Sequence, residues 1–334
     1  MAGIEARFDE LKTVLDEAQR IVISGHENAD GDAVGAVSAL RRHLEIEDKQ
    51  VSALLLEPLS PRYGFMEFGR HYEVYDVEAH RELLDETDVF VICDLSSWRR
   101  MGALSHIGDR DDLPTVCIDH HPHEGEGPAT VNLLDPGATA TGRIVWDYIQ
   151  HVGGRVDRET AESVFVSICT DTGWFRYPNT TPDVIALAAR LAEHRLDLPG
   201  IYRAIYQANS APMLRLLGHA TRTMREECDG SFVWAFIRRE FVDDLGVGRF
   251  DVDPILDVLR SGGRVESAAL FTEQADGSVA VSLRSRGQPD VNAIAREYGG
   301  GGHVFAAGAT LPAASAERDV QSMVATVRRA LRPD

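Results

Sequence analysis

The chain of 334 residues exceeds the usual size of a single hydrophobic core, which predicts two domains. Its formal net charge of −19 argues against a protein that binds long duplex nucleic acid, because such proteins neutralise many phosphates with a broad basic face. No window reaches the ~18 apolar residues of a membrane span, and the N-terminus lacks the pattern of a secretory signal. We therefore expect a cytoplasmic protein without a membrane partner.

The first half of the chain is typical of an α/β fold with an open parallel sheet. Apolar residues at helical spacing from Ile4 to Leu15 predict an opening amphipathic helix. Short runs rich in β-branched residues follow, and such runs without alternation predict strands buried on both faces. The helical stretches after Asp32 and Ala140 are expected to cover the sheet. The predicted strands are residues 21–25, 89–93, 115–118 and 164–169, with further candidates at 52–56 and 72–75.

The second half of the chain changes character twice. Residues 189–227 are helical in pattern and rich in Arg, which predicts a helical connector between a first domain at 1–188 and a second at 228–334. The second domain has three strand-like runs and three helical stretches, and Asp276 with Gly277 predicts a hairpin turn between the second and third strands. We expect a smaller α+β domain with an antiparallel sheet.

Acids and imidazoles follow the predicted strands of the first half. Ligands of an open α/β sheet bind beyond the carboxyl ends of its strands, so these side chains are expected to meet at one edge. Clustered carboxylates repel one another in a cleft, and divalent cations remove that repulsion. The residues concerned are His26, Asp30, Asp32, Asp94, Asp119, His120, His121 and Asp171.

This donor set predicts the kind of metal and the reaction. Four of the carboxylates with two imidazoles suit two octahedral ions, with Mn²⁺ preferred and Mg²⁺ as the alternative. Two ions ~3.5 to 4 Å apart suit phosphoester hydrolysis. Any one Asp at a strand end is more often a helix cap or a turn residue, and only the joint placement favours a metal site.

Four spaced motifs between residues 20 and 182 resemble the DHH phosphoesterase superfamily. They are HENADGDAVGA, ICDLS, IDHH and CTDTGWFRYPNTT, and IDHH at 118–121 is the signature itself. Many members carry Pro before the DGD, where this chain has Ala29. Because that position is not a ligand, we expect little consequence.

The resemblance implies a role for each residue of the cluster. One metal would take His26, Asp30 and Asp94, and the second would take Asp32, the shared Asp94, His120 and Asp171. The resemblance also implies catalytic roles for Asp119, which would orient its neighbours, and for His121, which would face the phosphate as a donor.

The C-terminal part resembles the DHH-associated domain, whose GGGH loop holds nucleotide. Here the sequence GGGGH ends at His303, follows Arg284 and precedes AAG. Glycines let backbone N–H groups approach an anion, and Arg or His can add charge or stack on a base. Arg176, Asn179 and Thr180, just after the fourth motif, are candidates for further substrate contacts, but all three are equally typical of loop and cap residues. The expected substrate contacts are Arg284, Gly300, Gly301, Gly302, His303 and Arg176.

The domain pairing at this length resembles the nanoRNase group. It implies Mn²⁺-dependent hydrolysis of very short RNA, of 3′-phosphoadenosine 5′-phosphate (pAp), or of both. Relatives that hydrolyse cyclic di-AMP or pApA provide an alternative. Manganese pyrophosphatases carry a different C-terminal domain, and single-strand exonucleases are longer and more basic. A non-catalytic nucleotide sensor is disfavoured because all six inferred ligands are intact. The sequence leaves open the physiological substrate, the cleavage polarity and whether the chain forms a homodimer.

Overall fold

The computed structural model describes residues 2–95, 97–123, 125, 127–246 and 252–331. The chain divides between Gln207 and Ala208 into two compact units. This division lies inside the segment predicted as a connector, and the predicted domain limits at 188 and 228 stay predictions. Among the described residues, no helix combines the length and the apolar character needed to cross a membrane.

The first unit contains a six-stranded parallel sheet with helices packed against it. The strand order is β3-β2-β1-β4-β5-β6, so the order reverses between β1 and β4. In sheets of this kind the ligand crevice lies at that reversal. The strands are β1 (Arg20–Gly25), β2 (Gln50–Leu55), β3 (Tyr72–Val74), β4 (Val89–Cys93), β5 (Thr115–Asp119) and β6 (Val131–Leu134), and the helices are α1 (Ala2–Glu17), α2 (Gly31–Ile46), α3 (Arg81–Asp85), α4 (Thr141–His151), α5 (Arg158–Asp171), α6 (Pro182–Ala192) and α7 (Leu198–Tyr206).

The central strands are buried on both faces, as their unalternated apolar runs predict. Successive residues of β4 enter two different apolar clusters, with Val89 and Val91 on one face and Phe90 and Ile92 on the other. Such two-sided burial is typical of a parallel sheet covered by helices. The predictions for β1, β4 and β5, and for the candidates at β2 and β3, are confirmed. Strand β6 is not among the predicted strands.

The strand predicted at 164–169 is wrong, because these residues lie inside helix α5. Helix α5 packs against α2, α4 and α6, and every residue from Ser163 to Cys169 is buried. A helix enclosed by other helices shows no polar face, so its sequence has no 3.6-residue periodicity and cannot be told from a buried strand. Asp171 therefore ends a helix rather than following a strand.

The second unit contains a six-stranded sheet of order β11-β12-β10-β9-β8-β7. The sheet is mixed, since β8 pairs with β9 in parallel while the other neighbours are antiparallel. The expectation of a purely antiparallel sheet is thus wrong at one pair, whereas the hairpin turn at Gly277 (φ 80°) is confirmed. The elements are α8 (Ala211–Thr223), β7 (Arg225–Glu227), β8 (Phe232–Ile237), α9 (Arg239–Asp244), α10 (Asp253–Leu259), β9 (Ser267–Glu273), β10 (Val279–Ser285), α11 (Val291–Arg296), β11 (Gly301–Gly302), β12 (Ala306–Leu311) and α12 (Ala316–Leu331).

Candidate active site

Acids and imidazoles of the first unit collect at the carboxyl ends of β1, β4 and β5. His26, Asp94 and His120 each come directly after one of these strands. Asp30 is the N-cap of α2, where its Oδ1 accepts hydrogen bonds from the backbone N–H groups of Asp32 and Ala33. The cap aims the first turn of α2 back at the crevice between β1 and β4, where the strand order reverses.

One group of donors consists of His26, Asp30 and Asp94, whose donor atoms lie within 4.8 Å of one another. His26 Nε2 is 3.4 Å from Asp94 Oδ2 and 4.0 Å from Asp30 Oδ1. His26 Nδ1 contacts the carbonyl oxygen of Glu27 at 2.6 Å. A ring whose Nδ1–H donates to a carbonyl keeps the Nε2 lone pair for the carboxylate side, which is the tautomer a metal needs.

A second group consists of Asp32, His120 and Asp171, again with donor atoms within 4.8 Å. His120 Nε2 is 3.4 Å from Asp32 Oδ2 and 4.0 Å from Asp171 Oδ2. His120 Nδ1 contacts the carbonyl oxygen of Ala138 at 3.3 Å, so its tautomer is set in the same way. Asp171 enters from the end of helix α5.

Asp94 lies between the two groups. Its Oδ2 faces His26, while its Oδ1 is 3.7 Å from His120 Nε2. The residue is buried and its backbone has φ 66°, in the left-handed region that non-glycine residues seldom adopt. Strain of this kind at the end of a strand is typical of functional positions, and here it turns one carboxylate toward both groups.

Asp32 is held by residues that the sequence analysis did not select. Its Oδ2 accepts the N–H of Thr141 at 2.7 Å, and its Oδ1 accepts the N–H of Gly142 at 3.0 Å. Both N–H groups belong to the first turn of α4, where a carboxylate is favoured by the helix dipole. Ser167 Oγ, on α5, donates to Asp32 Oδ1 at 2.5 Å. The only sequence signal was the Thr-Gly pair that begins a predicted helix.

Asp119 and His121 form a pair beside the two groups. Asp119 Oδ1 accepts the backbone N–H of His121 at 3.2 Å and contacts His121 Nδ1 at 2.8 Å. His121 Nδ1 is also 3.5 Å from Asp94 Oδ1. The buried Asp119 carboxylate therefore holds the ring of His121 next to the shared acid, and the catalytic roles of both residues stay predictions.

The predicted contacts that follow the fourth motif behave differently from one another. Arg176 Nε donates to the carbonyl oxygen of Gly173 at 2.5 Å, and its guanidinium lies over the ring of Tyr177. Asn179 Nδ2 donates to the backbone oxygen of Asp171 at 3.2 Å and to its Oδ2 at 3.3 Å. Asn179 thus supports a member of the second group, whereas Arg176 contacts its own loop.

The pKa values of Asp94, Asp171 and His120 are raised, whereas that of Asp30 is lowered because the effect of burial is outweighed by the charge of His26 and the N–H groups of Ala33 and Asp32. Burial, together with the negative charges of Asp32 and Asp30, raises the pKa of Asp94 well above its ordinary value. Burial raises the pKa of Asp171 to about 8 although His120 acts against this. Burial by itself would lower the pKa of His120, but the carboxylates around it, with Asp171 foremost, raise that pKa to about 9. The cluster therefore attracts positive charge.

This donor set fits divalent metal ions. Each group offers two carboxylates and one correctly oriented imidazole, counting the shared Asp94 only with His26 and Asp30. Oxygen and imidazole donors suit Mn²⁺, Mg²⁺ and related cations, which would also replace the protons that the raised pKa values retain. The structure brings together all six residues predicted as metal ligands, and their role as ligands stays a prediction.

Comparisons with known proteins agree with this geometry. Residues 20–168 match the family model of the DHH N-terminal domain, and residues 229–332 match that of the DHHA1 domain. The bifunctional oligoribonuclease and PAP phosphatase NrnA of Thermus thermophilus is 32% identical over 314 residues, covering 93% of this chain and 90% of that protein. The chain belongs to the DHH family of phosphoesterases. The bifunctional oligoribonuclease and PAP phosphatase NrnA of Bacillus subtilis is 23% identical over 309 residues, covering 90% of this chain and 92% of that one.

A solved structure supports the fold of this DHH protein. An exopolyphosphatase-related protein from Bacteroides fragilis aligns with a TM-score of 0.89, covering 98% of this chain and 97% of that chain at 24% identity. At that identity the likeness speaks for the fold alone.

The predicted nucleotide contacts of the second unit lie on or beside β10 and β11, the two strands that flank β12. Arg284, on β10, is opposite Ala306 of β12, and its guanidinium pairs with Asp253. The glycine run is partly a strand rather than a loop, since β11 pairs with β12. The backbone N–H of His303 donates to the carbonyl oxygen of Ala306 at 2.7 Å. Arg284 and His303 thus lie on opposite sides of Ala306, and the role of Arg284, Gly300, Gly301, Gly302 and His303 as substrate contacts stays a prediction.

Proposed function

We propose that this protein is a Mn²⁺-dependent phosphoesterase that hydrolyses very short RNA and pAp at a two-metal centre. The observation that carries the proposal is the meeting of two donor groups at one carboxylate, Asp94, beside the His121 ring. This choice of substrates is supported by the relatives from Thermus thermophilus and Bacillus subtilis, which are both named as oligoribonuclease and PAP phosphatase.

Each residue of the site then has a stated task. His26, Asp30 and Asp94 would hold one ion, and Asp32, His120 and Asp171 would hold the second together with Asp94. When bound, the two ions would supply a nucleophilic water and charge stabilisation at the phosphoryl group. His121, which Asp119 orients, donates a hydrogen bond to a phosphoryl oxygen beside the centre.

The second unit supplies the grip on the nucleotide. Its glycine strand, β11 (Gly301–Gly302), has no Cβ atoms to keep a phosphate from the backbone, and Arg284 lies on β10 while His303 follows β11. A local anion site of this kind is compatible with a net charge of −19, because a substrate with few phosphates needs few basic partners. We therefore expect a preference for substrates of very few nucleotides.

The direct test is a hydrolysis assay on metal-stripped protein supplied with Mn²⁺. The substrates are pAp, pApA, cyclic di-AMP, pyrophosphate and a strand of about 24 nucleotides, which an exonuclease of single strands would prefer. We expect pAp and pApA to be turned over fastest. Faster turnover of cyclic di-AMP would replace the proposed substrate class, and faster turnover of the long strand would contradict the preference for short ones.

A pair of variants tests the metal assignment. Asp94→Asn keeps the size of the side chain but removes the shared charge, so Mn²⁺-dependent turnover should be lost. Asp76→Asn is the control, because Asp76 also follows a strand of the sheet but caps its own turn by accepting the N–H groups of Glu78 and Ala79. Retained turnover in Asp94→Asn would rule out the shared-ligand centre, and lost turnover in Asp76→Asn would show that the loss is not specific.

A further inference from the structure

Thr141 contacts both halves of the predicted metal centre. The residue is fully buried at the start of α4. Its hydroxyl Oγ1 donates to Asp94 Oδ1 at 3.0 Å, and its backbone N–H donates to Asp32 Oδ2 at 2.7 Å. A single residue therefore joins the shared carboxylate to a carboxylate of the second group.

The Thr141 hydroxyl lies closer to Asp94 Oδ1, at 3.0 Å, than the two imidazole nitrogens near that oxygen do. The imidazole nitrogens of His121 and His120 lie at 3.5 Å and 3.7 Å from the same oxygen. A carboxylate oxygen has two lone pairs, so Oδ1 can accept a hydrogen bond from the Thr141 hydroxyl and still present an electron pair to a cation. The bond costs the site no ligand capacity.

The backbone of Asp94 adopts an unusual conformation, and it does not by itself fix how the carboxylate is rotated. The φ angle of 66° is unusual for Asp, and the backbone N–H of Asp94 is anchored to the carbonyl oxygen of Ile118 at 2.9 Å. These constraints fix where the side chain begins, but the rotation of the carboxylate about its own axis depends on what its oxygens contact. The hydrogen bond from the Thr141 hydroxyl to Asp94 Oδ1 is one contact that restricts this rotation.

We propose that Thr141 is a positioning residue for the metal centre, holding the Asp94 carboxylate at the angle at which its two oxygens face the two donor groups. The proposal rests on the proposed two-metal function. It assigns Thr141 no contact with substrate. Removal of groups that orient metal ligands weakens metal binding by ~10- to 100-fold in other metalloproteins, and that range sets the expected effect.

The test is calorimetric titration of metal-stripped protein with Mn²⁺, a readout that does not require turnover. Thr141→Val keeps the shape and the backbone N–H on Asp32 but removes the hydroxyl, so the Kd for Mn²⁺ should rise at least about tenfold. Thr141→Ser restores a hydroxyl and should bring the Kd back to within about threefold of wild type. If Thr141→Val does not fold, Thr141→Ala removes the same hydroxyl and should give the same rise.

Thr160→Val is a matched control. Thr160 is also fully buried, and its hydroxyl also donates to an aspartate, Asp157 Oδ1 at 3.1 Å, at the opposite end of α5 from Asp171. We expect it to lower stability without changing the Kd for Mn²⁺. Equal Kd values for wild type and Thr141→Val would overturn the positioning role. A tenfold rise in Thr160→Val would show that any buried hydroxyl matters and would overturn it as well.

The two proposals fail in different ways. If wild type does not bind Mn²⁺ at all, the two-metal function itself is wrong. If wild type binds Mn²⁺ and Asp94→Asn does not, while Thr141→Val binds as wild type does, the metal centre stands and only the role of Thr141 is wrong.

Discussion

Replacing Gly35 by Ala should destabilise the first unit, although the same change in a helix interior normally stabilises. Gly35 lies in α2, and an added Cβ would be 2.5 Å from the carbonyl oxygen of Ser163 and 2.8 Å from the Cβ of Ser167. Both neighbours belong to α5, so the two helices must separate. Helix propensity favours Ala by ~1 kcal/mol, whereas overpacking against backbone costs ~1 to 3 kcal/mol.

An overlap at 2.5 Å with a backbone oxygen should cost ~2 to 3 kcal/mol, the upper part of that range, which leaves a net loss of about 1 to 2 kcal/mol in the free energy of unfolding. Because α2 carries Asp32 and α5 carries Asp171, the variant should also bind Mn²⁺ more weakly. Gly218→Ala is the control, since Gly218 lies inside α8 and its added Cβ would meet no atom within 4 Å. Urea denaturation of metal-free protein measures the free energy of unfolding of both variants, and calorimetric titration with Mn²⁺ measures their metal binding. A Gly35→Ala protein as stable as wild type would refute the close approach of α2 and α5.

Two further predictions concern the charges of the site. Ser167→Ala removes a hydroxyl donor from the buried Asp32 carboxylate and should lower the free energy of unfolding of metal-free protein by ~1.5 to 3 kcal/mol, measured in urea; an unchanged midpoint would refute the bond. The raised pKa values of Asp171 (about 8) and His120 (about 9) stabilise the folded state while these groups keep their protons, so the melting temperature of metal-free protein should fall as pH rises from about 6 to 9. Saturating Mn²⁺ should reverse that slope, because proton release favours binding at higher pH; a flat profile without metal would contradict the shifted values.

The predicted sheet edge followed from residue order alone. The carboxyl ends of parallel strands lie at the same edge of a sheet. Side chains that directly follow β1, β4 and β5 therefore lie close together, whatever the details of packing. That argument located His26, Asp94 and His120. It reached Asp171 for a wrong reason, because the residue closes a helix in which every residue from Ser163 to Cys169 is buried.

Residues that support the ligands were beyond reach for a different reason. Thr141 and Ser167 both donate hydrogen bonds to Asp32, which is more than a hundred positions away along the chain. Thr141 also donates to Asp94, which is 47 positions away. A small hydroxyl side chain carries no pattern that distinguishes such a partner from an ordinary helix start or a buried core residue. Only the packing of α4 and α5 against α2 decides which hydroxyls face the acids.

The glycine strand of the second unit allows a test that separates nucleotide binding from metal binding. An added Cβ at Gly300 would lie 2.0 Å from the carbonyl oxygen of Gly308, a backbone atom of the neighbouring strand β12. Gly263, elsewhere in the second unit and outside the glycine run, would gain a Cβ that meets no atom within 4 Å. Gly300→Ala should therefore displace the glycine strand, and Gly263→Ala should leave it in place.

If this strand grips the nucleotide as proposed, Gly300→Ala should raise KM for pAp about tenfold or more, equivalent to ~1.4 kcal/mol of binding. The Kd for Mn²⁺ should not change, because the six residues predicted as metal ligands all lie in the first unit. Gly263→Ala should keep both values near wild type. An unchanged KM in Gly300→Ala would remove the glycine strand from substrate binding, while a changed Kd for Mn²⁺ would show that the two units do not act separately.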